Sequence, residues 1–356
     1  MNFISNIDTI YILVYISDFE KSSKLILSYL SEEKEKAKLM ALSNAPSKHT
    51  VTINDLNFTI LPNGTAGYAY ILHNSGYEVN IAQFNPSISN FSPIRIRISS
   101  EYLWAYGIDK TWAKIYNWIS ETFGNISDDK VSRVDLCSHV SGVDFITNYE
   151  LSYKGKFKNR ENFYTGNTIN AITFGSRKQK NIYCRIYNKT LELKTMKNKN
   201  WFIPIWENNN MDINNVWNVE FELKSELLRK FNINSVSDVI MHLRDLWQYC
   251  TCEWVQKIDR TNNKIERCKV NEDWINIQHN FDIFHSCGLI ERNKQLQLDA
   301  NALVPNIAGN VVSYAAKNNQ LNIKDVLLQL FNDIGLYFKN KNTTFEEAVI
   351  TKKSLL

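Results

Sequence analysis

The residues with the most chemical content lie at Arg185-Ile186-Tyr187-Asn188-Lys189. The run Asn181-Ile-Tyr-Cys-Arg-Ile-Tyr187 alternates as a strand does, so Asn181, Tyr183, Arg185 and Tyr187 share one face. Ile182, Cys184 and Ile186 point the other way, toward a core. A phenol beside a guanidinium and an ammonium suits attack on a phosphodiester, with a nucleophile at Tyr187 and fixed positive charge from Arg185 and Lys189 for the phosphate oxygens. A free phenol ionises only near pH ~10, so Tyr187 needs help from Arg185, Lys189 or a metal ion. Tyr183 is the alternative nucleophile on the same face.

Two further strands supply acid. In Val131-Ser-Arg-Val-Asp-Leu-Cys, parity places Asp135, Cys137 and His139 together. In Val216-Trp-Asn-Val-Glu-Phe-Glu-Leu it places Glu220 with Glu222. Carboxylates from separate strands are what an oxygen-preferring Mg2+ or Mn2+ needs, and Asp135, Glu220 and Glu222 are the expected ligands. Such an ion would polarise the scissile phosphate. The structural alternatives are an Asp135–Arg133 pair and an edge strand whose solvent face carries Glu220 and Glu222.

Between Lys154 and Lys199 there are twelve Lys or Arg against Glu161 and Glu192, a local charge of +10 in a chain whose net charge is +4. Such a concentration neutralises phosphates and releases their counterions. DNA contacts are expected at Lys154, Lys156, Lys158, Arg160, Arg177, Lys178 and Lys180, a solvated basic loop being the alternative. Cys250, Cys252, Cys268, His285 and Cys287 match no common structural zinc spacing and read as ordinary thiols. Trp247, Tyr249 and Trp254 read as helix core before base-stacking platforms.

The elements that position these residues form two series, each of antiparallel strands followed by helix. Residues Asp18 to Ala45 read as a helix whose apolar face is Leu25, Leu27, Leu30, Leu39 and Leu42. Strands are expected at Thr50–Asn54, Leu56–Leu61, Gly67–Leu72, Tyr77–Ala82 and Ile94–Ile98. A helix capped by Asp109 then runs to Phe123 with Trp112, Ile115, Trp118 and Ile119 buried. The second series has the strand at Val131, a hairpin of Ala171–Gly175 and Asn181–Tyr187, and the strand at Val216. Helices at Ser225–Phe231 and Val236–Tyr249 follow. Tyr153 to Asn167 reads as an inserted loop. The chain from about Asn271 reads as helical, best at Leu303–Lys317 and Ile323–Phe338, with a loosely held tail after Asn340. The expected divisions are 1–48, a catalytic region 49–255 in halves 49–125 and 130–255, and a helical region 270–356. The expected class is α+β.

The 356 residues, 44% hydrophobic and 22% charged, suit a soluble globular protein. No run approaches the ~20 apolar residues of a membrane span. Ile10 to Ile16 is short and flanked by Asp8 and Asp18, unlike a secretory signal. Six scattered cysteines suit a reducing cytoplasm.

Taken together, Thr173-Phe-Gly-Ser-Arg followed by Tyr183-Cys-Arg-Ile-Tyr-Asn-Lys resembles the central motif of the Rep_trans family. Its members are rolling-circle replication initiators of plasmids and phages and related relaxases of conjugative elements. Val131-Ser-Arg-Val-Asp-Leu, Trp217-Asn-Val-Glu-Phe-Glu-Leu-Lys, Gly67-Tyr-Ala-Tyr and Ile94-Arg-Ile-Arg-Ile-Ser-Ser resemble its other motifs, in order, over roughly Thr50 to Trp247. The resemblance implies two TATA-binding-protein-like halves, a nucleophile at Tyr187 and metal-binding acids at Asp135 and Glu220. It also implies a DNA origin as substrate, a host helicase as partner and a mobile element as source. A homodimer is admitted. The chain departs from the family at His139, where a second carboxylate is usual, at Asn218, usually Arg, and at Asn188, usually Asp. The leading expectation is nicking and rejoining through a 5′-phosphotyrosine that leaves a free 3′-OH. The competing one is a non-catalytic DNA-binding regulator. A tyrosine recombinase fits poorly, because the last tyrosine, Tyr337, lacks the surrounding Arg and His.

Overall fold

The computed structural model describes residues 1–43, 48–84, 91–178, 181–196, 199–284, 286–289 and 300–354. It contains two compact units, Met1–Arg292 and Asn293–Leu356. The first is α+β. Its strands are β1 (Asn2–Ile16), β2 (Thr50–Ile53), β3 (Leu56–Ile60), β4 (Tyr70–His73), β5 (Tyr77–Ile81), β6 (Ile94–Ile98), β7 (Ile126–Ser141), β8 (Tyr153–Gly155), β9 (Arg160–Thr165), β10 (Thr168–Gly175), β11 (Ile182–Asn188), β12 (Val216–Lys224) and β13 (Val255–Lys257). Eleven form one antiparallel sheet in the order β2-β3-β4-β5-β6-β1-β7-β12-β11-β10-β9, while β8 and β13 pair apart from it. The long strands β1 and β7 lie side by side at the centre. Each is flanked by the last strand of its own series, β6 or β12, with earlier strands following outward. One connectivity therefore occurs twice.

Alternation gives the sheet two unlike faces. Ile10, Ile12 and Val14 of β1, Ile94, Ile96 and Ile98 of β6, Val134 and Leu136 of β7, and Val219, Phe221 and Leu223 of β12 are buried on one face. Trp112, Ile115, Trp118 and Ile119 of the helix Ile108–Phe123 join the same core, as do Val239, Leu246 and Trp274 from later helices. Each such aliphatic side chain contributes ~2 kcal/mol when removed from water. The opposite face carries the polar residues.

Several expectations are corrected. In the helix Lys24–Leu42 the buried residues are Leu30, Glu33 and Ala37, while Leu25, Leu39 and Leu42 are exposed. At 3.6 residues per turn those three leucines are rotated well away from the Leu30–Ala37 line. The stretch expected as a loop at Tyr153–Asn167 forms β8 and β9. As the sheet's edge strand, β9 tolerates polar residues on both sides. The helix before β7 is entered through Gly107 at φ 74° rather than capped by Asp109, which lies in its first turn. Val236–Tyr249 breaks at His242 into Val236–Met241 and Leu243–Gln248. The tail after Asn340 includes the helix Phe345–Ser354.

The second unit consists of the helices Ala300–Lys317, Ile323–Asn340 and Phe345–Ser354 among the described residues. The Asn322 side chain caps the middle one by accepting from the Lys324 N–H at 2.9 Å.

Candidate active site

The polar face brings the chemistry-bearing residues of three strands together. Tyr183, Arg185 and Tyr187 on β11 lie opposite Glu222, Glu220 and Asn218 on β12. Those three lie opposite Asp135, Cys137 and His139 on β7. Glu220 and Glu222 are thus interior to the sheet, not on an edge, and are almost wholly buried. β1 adds a residue by irregularity. Its pairing with β7 slips between Ile7 and Thr9, leaving Asp8 as the extra residue of a bulge. The Asp8 carboxylate accepts from Ser100 Oγ at 2.7 Å.

Tyr187 Oη is the centre of the network. It donates to Glu220 Oε2 at 3.2 Å and accepts from Lys189 Nζ at 3.1 Å and Asn218 Nδ2 at 3.0 Å. Arg185 holds the other oxygen of Glu220. The Asn188 side chain accepts from the Leu191 N–H at 2.8 Å, capping the helix Lys189–Thr195. That cap starts the helix immediately after the tyrosine strand and places Lys189 against the phenol. The Lys189 ammonium is fully buried, pairs with Glu192 at 2.6 Å and lies over the Phe202 ring. Lys199 holds the other Glu192 oxygen at 2.9 Å. Burial pushes the Tyr187 phenol well above its usual range; Glu220 adds to this and Arg185 opposes it. A cavity of about 460 Å³ opens over this face, lined in part by Thr173, Arg177, Tyr183, Arg185, Tyr187 and Glu192.

The remaining acids are ion-paired. Arg133 bonds Asp135 through Nε at 2.8 Å and through a terminal nitrogen at 2.6 Å, and reaches Glu222 at 2.8 Å. Lys224 holds Glu222 at 3.1 Å. Burial raises the Asp135 carboxyl to about 7, with Glu220 and Glu222 adding and Arg133 opposing. Burial, then Glu220, also raises Asp8. Among the described residues no three His, Cys, Asp or Glu side chains are grouped to hold a metal ion. Asp135, Glu220 and Glu222 share a face, but their oxygens are taken by Arg133, Lys224 and Arg185. As placed, the set does not fit a bound divalent ion.

His139 lies farther along β7 and is no candidate ligand. Its Nδ1 accepts from Trp206 Nε1 at 3.0 Å and its ring stacks on Trp104 at 4.8 Å. Burial, with Lys189 and Lys199 adding to it, pushes its pKa well below the usual value.

The basic window does not form one surface. Arg177 reaches the site, with its guanidinium over Tyr183 at 5.2 Å and 3.8 Å from Glu222. Arg160 lies opposite Phe174 on the apolar face and over its ring. Lys154 and Lys156 sit on or beside β8, where Lys154 donates to the Cys268 carbonyl at 3.2 Å and Lys156 pairs with Glu253 at 2.7 Å. Lys158 and Lys178 are exposed. Lys180, Lys197 and His285 lie outside the described residues. Of the cysteines, Cys250 and Cys268 are buried and Cys252 and Cys287 exposed. Trp247 is buried and stacked on Phe281 at 4.5 Å. Asp8, Glu192 and the donor role of Asn218 escape a reading by periodicity. The bulge at Asp8 has no sequence signature.

No family model matches the chain, and no curated protein matches it. Among solved structures it is similar to the rolling circle replication initiator protein from Geobacillus stearothermophilus. The identity is 12%, over 81% of this chain and 100% of that one, with a TM-score of 0.48. A likeness at that level carries no argument about chemistry.

Proposed function

We propose that the protein is a DNA strand transferase that nicks and rejoins an origin or transfer site to start rolling-circle replication or conjugative transfer. The observation that carries this is the Tyr187 hydroxyl, held between an acceptor, Glu220, and a buried cation, Lys189, at a cavity that Arg185 also lines. In the proposed step Glu220 takes the phenol proton as Oη attacks phosphorus. The bond to the 3′ oxygen breaks and that oxygen takes up a proton. The 5′-phosphate is left on Tyr187 and the free 3′-OH is available to prime synthesis. Arg185, shared between Glu220 and the incoming phosphate, offsets the charge that develops. Exchange of one phosphoester for another makes rejoining the reverse reaction, with no ATP.

The same proposal takes the repeated strand order as two TATA-binding-protein-like halves, and includes a host helicase as partner, a homodimer as an admitted assembly, and a cytoplasmic, mobile-element setting. A Mg2+ or Mn2+ ion would have to displace Arg133 or Arg185 from a carboxylate, so both metals and a chelator enter the assay as variables. Labelled single-stranded DNA from around the protein's own gene is incubated with it and resolved on a denaturing gel. A covalent adduct is expected for wild type and none for Tyr187→Phe. Equal adduct from both rules out Tyr187. The ion pairing of Asp135, Glu220 and Glu222 favours the second reading, a non-catalytic DNA-binding regulator. It predicts DNA binding with no adduct from any variant under any metal condition.

A further inference from the structure

The repeated connectivity allows the two halves to be compared position by position. Ile98 ends β6 two residues before the helix Ser100–Tyr106, as Leu223 precedes the helix Ser225–Lys230. Ile98 pairs with Ile10 of β1, as Leu223 pairs with Val134 of β7. Arg97 then occupies the position of Glu222, and Arg95 that of Glu220. Tyr11, opposite Arg97, takes the position of Asp135. Asn80, opposite Arg95, takes that of Arg185, and Ala82, two residues on, that of Tyr187. The first half therefore has Ala82 where the second has Tyr187, and two arginines where β12 has two carboxylates.

Among the described residues these arginines are not committed to carboxylates. Glu78, directly opposite Arg97, is held by His73 at 3.3 Å and by Asn80 at 2.6 Å. Arg95 lies over Tyr68 at 4.7 Å and Arg97 over Tyr11 at 5.9 Å. Arg133 also approaches Tyr11, at 5.3 Å, before bonding Asp135 and Glu222. On the same face Lys130 lies over Tyr15, with Asp128 as its partner. A line of cations and rings thus runs from β6 across β1 to the Tyr187 site. With strands ~4.8 Å apart, β6 lies ~19 Å from β11, within reach of a few nucleotides.

We propose that Arg95 and Arg97 bind the phosphates of the unpaired DNA strand whose scissile phosphate lies at Tyr187. The first half is then a docking copy of the catalytic half. Charge complementarity and continuity with the catalytic face point to that occupant. The assignment rests on the nicking reading for the strand's identity but not for the binding itself.

The test is fluorescence anisotropy of a labelled oligothymidylate over a salt series, with wild type, Arg95→Gln/Arg97→Gln and, as control, Lys110→Ala on the helix covering the other face. The double variant is expected to bind roughly tenfold to hundredfold more weakly at low salt. Its slope of log affinity on log salt should fall by about 1.4, or ~0.7 per lost phosphate contact. Its adduct yield at saturating origin DNA should persist, and Lys110→Ala should match wild type. Unchanged affinity and slope with the adduct retained overturn this inference and leave the nicking reading standing. A lost slope with no adduct even from wild type overturns the nicking reading and leaves the surface. If the double variant unfolds, Arg97→Ala, at an exposed position, carries the same test with a slope change of about 0.7.

Discussion

A proton on His139 has no place in the folded chain. The ring is wholly buried, its Nδ1 is already an acceptor for Trp206 Nε1, and its Nε2 has no partner among the described residues. Burial and the nearby Lys189 and Lys199 hold its pKa well below the ordinary 6.5. The unfolded chain takes up this proton near pH 6.5 and the native chain does not. The folded pKa is therefore depressed, and the stability His139 contributes is present above pH ~6.5 and lost as pH falls below it. At ~1.4 kcal/mol per pH unit, moving from pH 7 to pH 5 costs about 2 kcal/mol through this residue alone. His139→Gln keeps an acceptor for Trp206 but does not titrate. Its loss of stacking on Trp104 is a cost independent of pH. Urea unfolding of both proteins at pH 7 and pH 5 isolates the effect, because other titrating groups cancel in the difference. Wild type is expected to lose about 2 kcal/mol more than the variant between the two pH values. Equal losses would mean that the native chain protonates His139, and the pocket as described would be wrong.

Glu220→Gln removes the proton acceptor of Tyr187, so the rate of adduct formation should fall by about 10²-fold or more while oligonucleotide affinity is kept; single-turnover gels measure both. Arg133→Met leaves Asp135 and Glu222 buried without their shared guanidinium, and calorimetry or urea unfolding should show a loss of roughly 3–5 kcal/mol at neutral pH. Gly175→Ala places a Cβ 2.8 Å from the Ile182 carbonyl at φ 82°, which should destabilise by ~1–3 kcal/mol in the same measurement. An unchanged midpoint would show that the β10–β11 connection relaxes freely.

Most of the sheet was legible because apolar and polar residue types alternate along its strands. Ile94-Arg-Ile-Arg-Ile and Val216 to Leu223 state both the strand and its inward face. β9 was hidden for the opposite reason. An edge strand pairs on one side only, so Arg160-Glu-Asn-Phe-Tyr-Thr needs no apolar stripe and reads as loop. In Lys24–Leu42 a leucine marks the buried face only where its position around the helix agrees with its type. Leu30 and Ala37 face the core, while Leu25, about 140° around the helix from that line, stays in water.

The polar face divides along the same lines. Parity within β11 puts Tyr187 beside Arg185, and the Asn188 cap turns Lys189 back onto the phenol, both local effects written within nine residues of chain. What the acids do is not local. Asp135 and Glu222 belong to strands some eighty residues apart in the chain, and only their register reveals that Arg133 binds both. Parity groups Glu220 with Glu222 and, on its own strand, Asp135 with Cys137 and His139, while the register of β7 on β12 brings the two sets to one face. Parity puts Arg133 on the same face as Asp135 too, but could not show that this guanidinium spans both Asp135 and Glu222 and takes the oxygens a metal would need. Like-charge crowding in a buried site is relieved by a proton or by a cation, and here the chain supplies cations of its own. An added divalent ion therefore competes with Arg133 and Arg185 for the same oxygens. The metal dependence of the Arg133→Met protein, compared with wild type, should separate the two means of neutralisation: Mg2+ or Mn2+ restores stability if the ion can replace the guanidinium, and has no effect if the geometry serves arginine alone.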